Sequence, residues 1–240
     1  MAKKDFFLIV DTETTMDQKV ADFGAVIVDR QGKEYARCAV LVNGIFTDME
    51  NHPLFHDNST GAALWSKSRL TERYNEYNQM VANGQRMIAS VAAINKWLLL
   101  ALAKYNPILT AYNISFDLDK CTNTGIDLSV FDKKFCLWYA AFSKYHKTKK
   151  YRQFVLDNHC FNAPTKQGNM SFVTNAETMT RFVTNNPLLE DEPHTALEDV
   201  LFYELPILLD IVNKGKRESW MNPTPFNWRA VQVKDWFTVK

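Results

Sequence analysis

The stretch FFLIVDTETT, residues 6–15, strongly constrains how this chain can fold. Phe6 to Val10 are continuously apolar and rich in β-branched and aromatic residues, which is typical of a short strand buried on both faces. Side chains alternate along a strand, so Asp11 and Glu13 point to the same side if the strand continues. Two carboxylates held together lose solvation and repel each other. A positive charge is therefore expected between them, and a divalent metal ion is the first candidate.

Composition limits what the chain can be without deciding its activity. The 240 residues are 46% hydrophobic and 23% charged, with a net charge of +1. These values are ordinary for one soluble globular domain and exclude a uniformly basic nucleic-acid binder. The apolar runs near the start and at 97–103 are too short for a signal peptide or a membrane span. We expect a cytoplasmic protein of a bacterium or phage, with no membrane partner and with its four cysteines reduced.

The order of the predicted elements favours an α/β fold. Short β-rich runs lie at 6–10, 20–29, 33–43, 107–113 and 133–140, the last passing into a helix. Helical patterns lie at about 62–81, 87–106, 115–125, 148–158, 175–185 and 195–214. We predict a mixed five-stranded sheet, its first three strands antiparallel, with helices on both faces. A single domain would cover 1–240, with a loop–helix insertion at about 44–84 and an aromatic, basic tail at about 216–240.

Local signals refine three of these helices. Ser115 is the predicted N-cap of the helix at 115–125, and Gly125 its stop. The helix at 87–106 is predicted to be largely buried, because it is apolar over most of its length. Pro206 predicts a kink in the last helix.

Two further stretches place acidic residues at the ends of predicted elements. In LTAYNISFDLDK, Asp117 lies just after a short apolar strand, near the start of a helix. In EPHTALEDVLFYE, Asp199 lies in the first turns of the last helix, and His194 precedes it. Residues five apart are about 140° out of phase on a helix, so His194 fits the loop between Pro193 and a cap-like Thr195. Alone, each fragment has a simpler explanation as a turn, a helix cap or a surface residue, but the three occur together.

DTETT, NISFD and HTALED resemble the three exonuclease motifs of the DEDDh family of 3′→5′ exonucleases, in the family's order. That family includes polymerase proofreading subunits, oligoribonuclease and ribonuclease T. The resemblance covers about residues 6–212 and implies a ribonuclease-H-like fold. It implies that His194 is the general base, since Thr195 stands where the sister DEDDy subgroup has a tyrosine. It implies two Mg²⁺ or Mn²⁺ ions held by four carboxylates, those of Asp11, Glu13, Asp117 and Asp199.

The implied chemistry suits these residue types. Hard carboxylate oxygens bind Mg²⁺ and Mn²⁺, and an imidazole that titrates near neutral pH can take a proton from the attacking water. Asp11 would bridge the two ions, Glu13 and Asp199 would complete one, and Asp117 would support the other. The 3′-oxygen of the penultimate nucleotide would leave, so the products would be nucleoside 5′-monophosphates.

The motifs also suggest contacts with the strand end. The candidates lie in or beside the motifs and are Thr14, Thr15, Met16, Asn113 and Phe116. Family members often follow DTETT with a glycine and then an apolar residue that wedges against the terminal bases, whereas here Met16 follows directly. Met16 either fills that role after a one-residue deletion or lies in a different turn. Phe116 could equally belong to the core.

A basic and aromatic run at 143–154 is a second candidate for strand binding. Lys149, Lys150 and Arg152 stand in it among tyrosines, and cations for phosphates with rings for bases are typical of a single-strand track. A solvated helix face explains the same composition equally well.

The tryptophans of the tail are predicted to have a structural role. Rings in an irregular tail pin it onto the core more often than they stack on bases. This applies to Trp220, Trp228 and Trp236.

Three functional hypotheses follow. The leading one is a metal-dependent 3′→5′ exonuclease that acts on the 3′ end of single-stranded nucleic acid, with DNA favoured. An RNA-trimming exoribonuclease would use the same five motif residues. A non-catalytic nucleic-acid-binding subunit would have no reason to keep all five. The sequence leaves open a homodimer, for which the helix at 87–106 could serve, and a polymerase or replication partner.

Overall fold

A mixed sheet of six strands forms the centre of the part of the chain that the computed structural model describes, residues 5–223 and 231–237. The strands are β1 (Phe6–Thr14), β2 (Val20–Asp29), β3 (Glu34–Val42), β4 (Met87–Ala89), β5 (Ile108–Ala111) and β6 (Lys134–Cys136). Their order across the sheet is β4-β3-β2-β1-β5-β6; β1, β2 and β3 are antiparallel, and the outer strands pair in parallel. The predicted α/β class is confirmed, and the arrangement is consistent with a ribonuclease-H-like fold.

Helices flank this sheet. They are α1 (Leu70–Ala82), α2 (Val91–Tyr105), α3 (Ile114–Thr124), α4 (Leu137–Tyr145), α5 (Lys149–Asp157), α6 (Ala176–Thr184), α7 (Ala196–Asp199), α8 (Leu205–Lys214) and α9 (Arg217–Met221). The predictions at 148–158 and 175–185 are confirmed as α5 and α6, which Thr148 and Asn175 cap through their side chains.

Within residues 5–223 and 231–237, no helix combines the length and the apolar character needed to cross a membrane.

The sixth strand corrects the prediction for residues 87–106. Met87–Ala89 pair with the edge of β3 instead of beginning a helix. The helix starts after Ser90, whose side chain accepts a hydrogen bond from the Ala93 N–H, because such a cap needs extended backbone before the first turn. The helix is also less buried than predicted: Leu99 and Leu100 are 54% and 60% exposed, since α2 covers the sheet with only one face.

Two other helix starts differ from prediction. α1 begins at Leu70 rather than near residue 62, because the preceding loop folds back on itself through the Ser66 hydroxyl, which donates to the Gly61 carbonyl. α3 follows Asn113, whose backbone is left-handed with φ 65°, and Ser115 lies inside the helix. Gly125 ends α3 as predicted.

β1 is buried on both faces, as its apolar run predicts. Phe7 and Ile9 pack into one hydrophobic cluster with the last helices of the chain. Leu8 and Val10 pack into a second cluster on the other side of the sheet. β1 continues as a strand through Thr14, so its two carboxylates extend directly from a buried segment.

The last predicted helix is divided into three parts. α7 passes into a π-helical segment, Val200–Glu204, before α8 begins. The Leu205 N–H donates to the Val200 carbonyl, five residues earlier. Pro206 follows at once and has no N–H to continue the α-helical pattern. The helix therefore has a widened turn just before the proline, and the kink predicted at Pro206 stays a prediction.

The described part of the tail packs onto the core, as Trp220 and Trp236 predict. Trp220 is 1% exposed, and its ring meets the rings of Phe7 and Phe135 edge-on or tilted. Trp236 is buried beside Phe172. Trp228 lies outside the described residues.

Gly24 allows α7 to approach the sheet closely. It lies opposite Asp11 in the β1–β2 pairing. A Cβ atom on Gly24 would lie 2.4 Å from the Ala196 carbonyl carbon and 2.4 Å from the Leu197 nitrogen. Because these are backbone atoms, they cannot move aside independently of the helix. The position of α7, and of Asp199 at its end, therefore depends on the absence of a side chain here.

Substituting Gly24 tests this close approach. We expect Gly24→Ala to lower the free energy of unfolding by about 1–3 kcal/mol through overpacking and to displace α7. Denaturant unfolding measures the change. Gly61→Ala is the matched control, because no atom lies within 4 Å of the Cβ that it adds. Equal stability of the two variants would contradict the proposed packing role.

Candidate metal centre

Three segments bring the motif carboxylates to one end of the sheet. Asp11 and Glu13 lie on β1, and α3 begins just after β5, the parallel neighbour of β1. Parallel neighbouring strands end at the same edge, which places Asp117, in the first turn of α3, beside the end of β1. α7 packs against both β1 and β2 and carries Asp199. The predicted meeting of the motifs is therefore present in the fold.

Glu13, His194 and Asp199 form the tightest group of potential metal ligands in the described residues. One ligand atom of each lies within 4.8 Å of the other two. Asp199 is buried, and its Oδ1 has no hydrogen-bond partner within the described residues. A buried carboxylate oxygen without a partner is unfavourable unless a cation binds it. The donor set therefore fits a hard divalent cation such as Mg²⁺ or Mn²⁺.

Asp11 and Asp117 lie outside that three-residue group but are electrostatically linked to it. Asp117 is 2% exposed and accepts a hydrogen bond of 2.9 Å from the Thr12 hydroxyl. The negative charge of Asp11 acts on Asp117, Glu13 and Asp199 alike. Asp11 is thus the one carboxylate whose charge raises the pKa of each of the other three.

Burial and mutual repulsion make these groups reluctant to ionise without a cation. Burial raises the pKa of Asp11 to about 7. Burial, then the charges of Asp11 and Glu13, raise the pKa of Asp199 to about 10. The pKa values of Glu13 and Asp117 also lie well above the ordinary range, because of burial and then the charge of Asp11. A divalent cation would remove the repulsion and return the groups to their charged forms.

The insertion supplies one positive charge to the site. Arg73, on α1, is buried, with its Nη2 3.7 Å from Glu13 Oε2. Its Nη1 donates to the Phe55 carbonyl at 3.3 Å. Arg73 offsets part of the repulsion at Glu13, although the pKa of Glu13 remains raised. One arginine cannot neutralise the combined charge of four ionised carboxylates. Further positive charge would be needed for all four to ionise.

His194 lies in the loop before α7, as its spacing from Asp199 predicts. Its backbone is left-handed, with φ 54°, and its ring lies edge-on to Trp65 with the centroids 4.3 Å apart. Burial, then the charge of Arg73, lower the pKa of His194 to about 4. The imidazole is therefore neutral near pH 7, but its pKa lies below the near-neutral range expected of a general base.

A buried network of ion pairs and hydrogen bonds connects the start of α7 to β2. The Arg86 guanidinium donates from Nε and Nη2 to the Asp22 carboxylate at 2.9 and 3.2 Å, and it also pairs with Glu198. Asp22 accepts the Ala196 N–H at 3.0 Å. The network thus joins β2, the segment after the insertion and the first turn of α7. It holds the backbone between His194 and Asp199.

Two cavities adjoin the group of Glu13, His194 and Asp199. One, of about 400 Å³, is lined by Asp11 and Glu13 and by three partly exposed aromatic rings, Phe55, Trp65 and Phe116. A second, of about 760 Å³, lies beyond Trp65 and His194 and includes Glu177 and Glu192. The smaller cavity combines aromatic walls with the carboxylates of Asp11 and Glu13, whereas the larger one is acidic.

Of the five residues beside the motifs that were predicted to contact the strand end, two line the smaller cavity and three do not. Phe116 is 42% exposed and lines the smaller cavity, as does Thr14. Thr15 is fully buried, and its hydroxyl donates to Asp17 within the turn after β1. That turn leaves Met16 exposed, with its Sδ accepting from the His56 N–H. The Asn113 side chain accepts from the Ser115 hydroxyl.

The basic run is not brought to the cavities beside the carboxylates. Lys149, Lys150 and Arg152 lie on α5 and line neither cavity. Lys150 lies over the Phe182 ring and Arg152 over the Trp236 ring. Tyr151, between them, is fully buried in the core. Tyr151, one of the tyrosines of the predicted track, therefore serves packing.

Several residues at the site were not predicted from the sequence. Phe55, Trp65 and Arg73 belong to the insertion, and Arg86 follows it. Their positions in the chain carry no motif or spacing that could have identified them.

Glu192 is a further acidic residue near the site that was not predicted. Burial, then neighbouring carboxylates, raise the pKa of Glu192 to about 8.

Comparisons with known proteins add no relative to this description. Neither the protein-family models nor the curated proteins that were searched gave a match to the chain. The assignment of function therefore depends on the motifs and the geometry around them.

The pH dependence of stability tests the carboxylate cluster. The raised pKa values mean that the metal-free folded state keeps protons that the unfolded state has lost. Stability should therefore fall as the pH rises from about 5 to 8, by up to about 1.4 kcal/mol per pH unit for each retained proton. Urea unfolding in EDTA measures this slope, and Asp199→Asn should make it shallower. An unchanged slope in that variant would contradict the assigned environment of Asp199.

Proposed function

We propose that this chain is a metal-dependent 3′→5′ exonuclease of the DEDDh type, acting on single-stranded nucleic acid. The observation that carries the proposal is the group of Glu13, His194 and Asp199, whose ligand atoms lie within 4.8 Å of one another. Asp11 and Asp117 adjoin this group at the end of β1. The five side chains are the ones that the motif resemblance names, and they come from three distant parts of the chain.

The residues have separate roles in the proposed reaction. Asp11, Glu13, Asp117 and Asp199 would hold two Mg²⁺ or Mn²⁺ ions. When bound, such ions neutralise phosphate charge and favour ionisation of water. His194 would accept the proton of the attacking water as its oxygen bonds to phosphorus. The bond from phosphorus to the 3′-oxygen breaks, that oxygen takes up a proton, and a nucleoside 5′-monophosphate is released.

The surroundings favour a single strand over a duplex. Phe55, Trp65 and Phe116 present partly exposed rings beside the carboxylates. Unpaired bases stack on such rings without regard to sequence. Arg73, buried against Glu13, keeps a positive charge beside the place where the scissile phosphate would lie.

Two alternatives concern the substrate and the activity. An RNA-trimming enzyme would use the same groups, so the choice of DNA as the favoured substrate is a proposal for experiment. A non-catalytic binding subunit would leave Asp199 Oδ1 buried without a partner among the described residues and would gain nothing from it. That cost favours an active enzyme.

A matched time course tests the proposed reaction. Wild type should shorten 5′-labelled single-stranded DNA from its 3′ end in Mg²⁺ or Mn²⁺, and EDTA should stop it. Asp11→Asn should lower the rate by about 10²–10³-fold, because metal ions contribute several kcal/mol to catalysis. RNA of the same sequence, run in parallel, identifies the preferred substrate. Asp29→Asn, at the far end of β2, is the control and should retain activity. Cleavage that persists in EDTA would disprove the proposal.

His194→Ala separates a general base from a metal ligand. We expect the cleavage rate to fall by about 10²–10⁴-fold while the affinity for Mn²⁺ stays unchanged. Isothermal titration with Mn²⁺ and the cleavage assay measure the two effects independently. A parallel loss of Mn²⁺ affinity would instead identify His194 as a ligand, which its distance from Glu13 and Asp199 also permits.

A further inference from the structure

His194 has few contacts that would fix the direction of its ring. A catalytic base is usually oriented by a hydrogen bond from a third group. Within residues 5–223 and 231–237, no hydrogen bond to the imidazole orients it. Its backbone is left-handed and lies in the loop before α7, so no regular element constrains the side chain either. Another kind of contact must therefore hold the ring.

The ring of Trp65 makes that contact. The two ring centroids lie 4.3 Å apart, and the planes are inclined by 69°. Such edge-on pairs are favourable and fix the relative orientation of the two rings. Trp65 lines both cavities beside the metal centre, whereas His194 lines only the larger one. The indole therefore stands beside the imidazole, between the two cavities.

Backbone hydrogen bonds fix the position of Trp65 relative to β1. The Phe55 N–H donates to the Thr14 carbonyl, at the end of β1, at 2.8 Å. Two residues later, the Asp57 N–H donates to the Trp65 carbonyl at 2.8 Å. Ser66, which follows Trp65, is fully buried and forms a β-bridge with Asp57. The insertion thus connects the strand that carries the first two motif carboxylates to the indole that meets His194.

We propose that Trp65 is a positioning residue for His194 and holds the imidazole in the direction from which it accepts the proton of the attacking water. This role rests on the proposed exonuclease function. It assigns part of the reaction to the insertion, which none of the three motifs includes. The indole is 36% exposed, so part of it remains available to an unpaired base. The alternative is that contact with a base is its whole role.

Trp65→Ala separates positioning from substrate binding. A base must lie within hydrogen-bond reach of the proton that it takes, and a misplacement of about 1 Å can cost about 10²-fold in rate. We therefore expect kcat for single-stranded DNA to fall by about 10- to 100-fold. Trp65→Phe keeps a ring and should recover most of the rate. Loss of a ring that only binds a base would instead raise KM and leave kcat unchanged.

A double-mutant cycle with His194→Ala shows whether Trp65 acts through the imidazole. Once the imidazole is absent, Trp65→Ala should lower kcat by less than about twofold, because the two side chains act as a unit. Leu188→Ala is the control for loss of an exposed apolar side chain. Leu188 is 90% exposed, lies between α6 and α7 and lines neither cavity, so its variant should keep the wild-type kcat.

Proton NMR of the imidazole gives a readout that does not depend on activity. The signals of His194 are those missing from His194→Ala. They should shift in Trp65→Ala, because the field of the indole ring is removed, and stay in place in Leu188→Ala. Isothermal titration should give the wild-type Mn²⁺ affinity for Trp65→Ala, since the indole offers no metal ligand.

The outcomes distinguish the two proposals. Unmoved His194 signals in Trp65→Ala would overturn the positioning role and leave the proposed function intact. An equal fall in kcat with and without the imidazole would do the same, as would a parallel loss of Mn²⁺ affinity. A wild type that does not cleave the strand would overturn the proposed function itself.

Discussion

The repulsion between buried carboxylates is the constraint on which the rest of this structure depends. Asp11 and Glu13 extend from a strand buried on both faces, and Asp117 and Asp199 are added to them from two other segments. Such a cluster lowers stability until positive charge reaches it. The cluster lies at one end of the sheet, where β1 and β5 end together. The hydrophobic core on both faces of the sheet holds the backbone in place there despite the repulsion.

The stability needed to hold the cluster comes from features beneath it. Gly24 lets α7 lie directly on the sheet, and the Arg86–Asp22 pair fixes the first turn of that helix. A buried ion pair contributes little net stability by itself, but here it specifies one position for the helix. The placement of His194 and Asp199 thus depends on residues that belong to none of the motifs.

The sequence predicted those parts of the molecule whose signals are local. The continuous apolar run of β1, the loop position of His194 and the end of α3 at Gly125 each depend on neighbouring residues alone. The edge strand β4 and the approach of Arg86 to Asp22 depend on contacts between residues far apart in the chain, which no spacing rule encodes. The basic run at 143–154 shows the limit of composition as a signal. Its residue types suit both a packed helix and a substrate-binding surface, and only the structure shows that Tyr151 is buried in the core.

The position of Arg73 has a consequence for how the insertion and the site affect each other. Its helix, α1, contributes a charge that acts on both Glu13 and His194. Binding at the site and docking of that helix are therefore thermodynamically linked, and the linkage is reciprocal. Whatever loosens α1 changes the affinity of the site for its ligands, and whatever binds there changes how firmly α1 is held. The insertion is in this sense energetically coupled to the site as well as part of its wall.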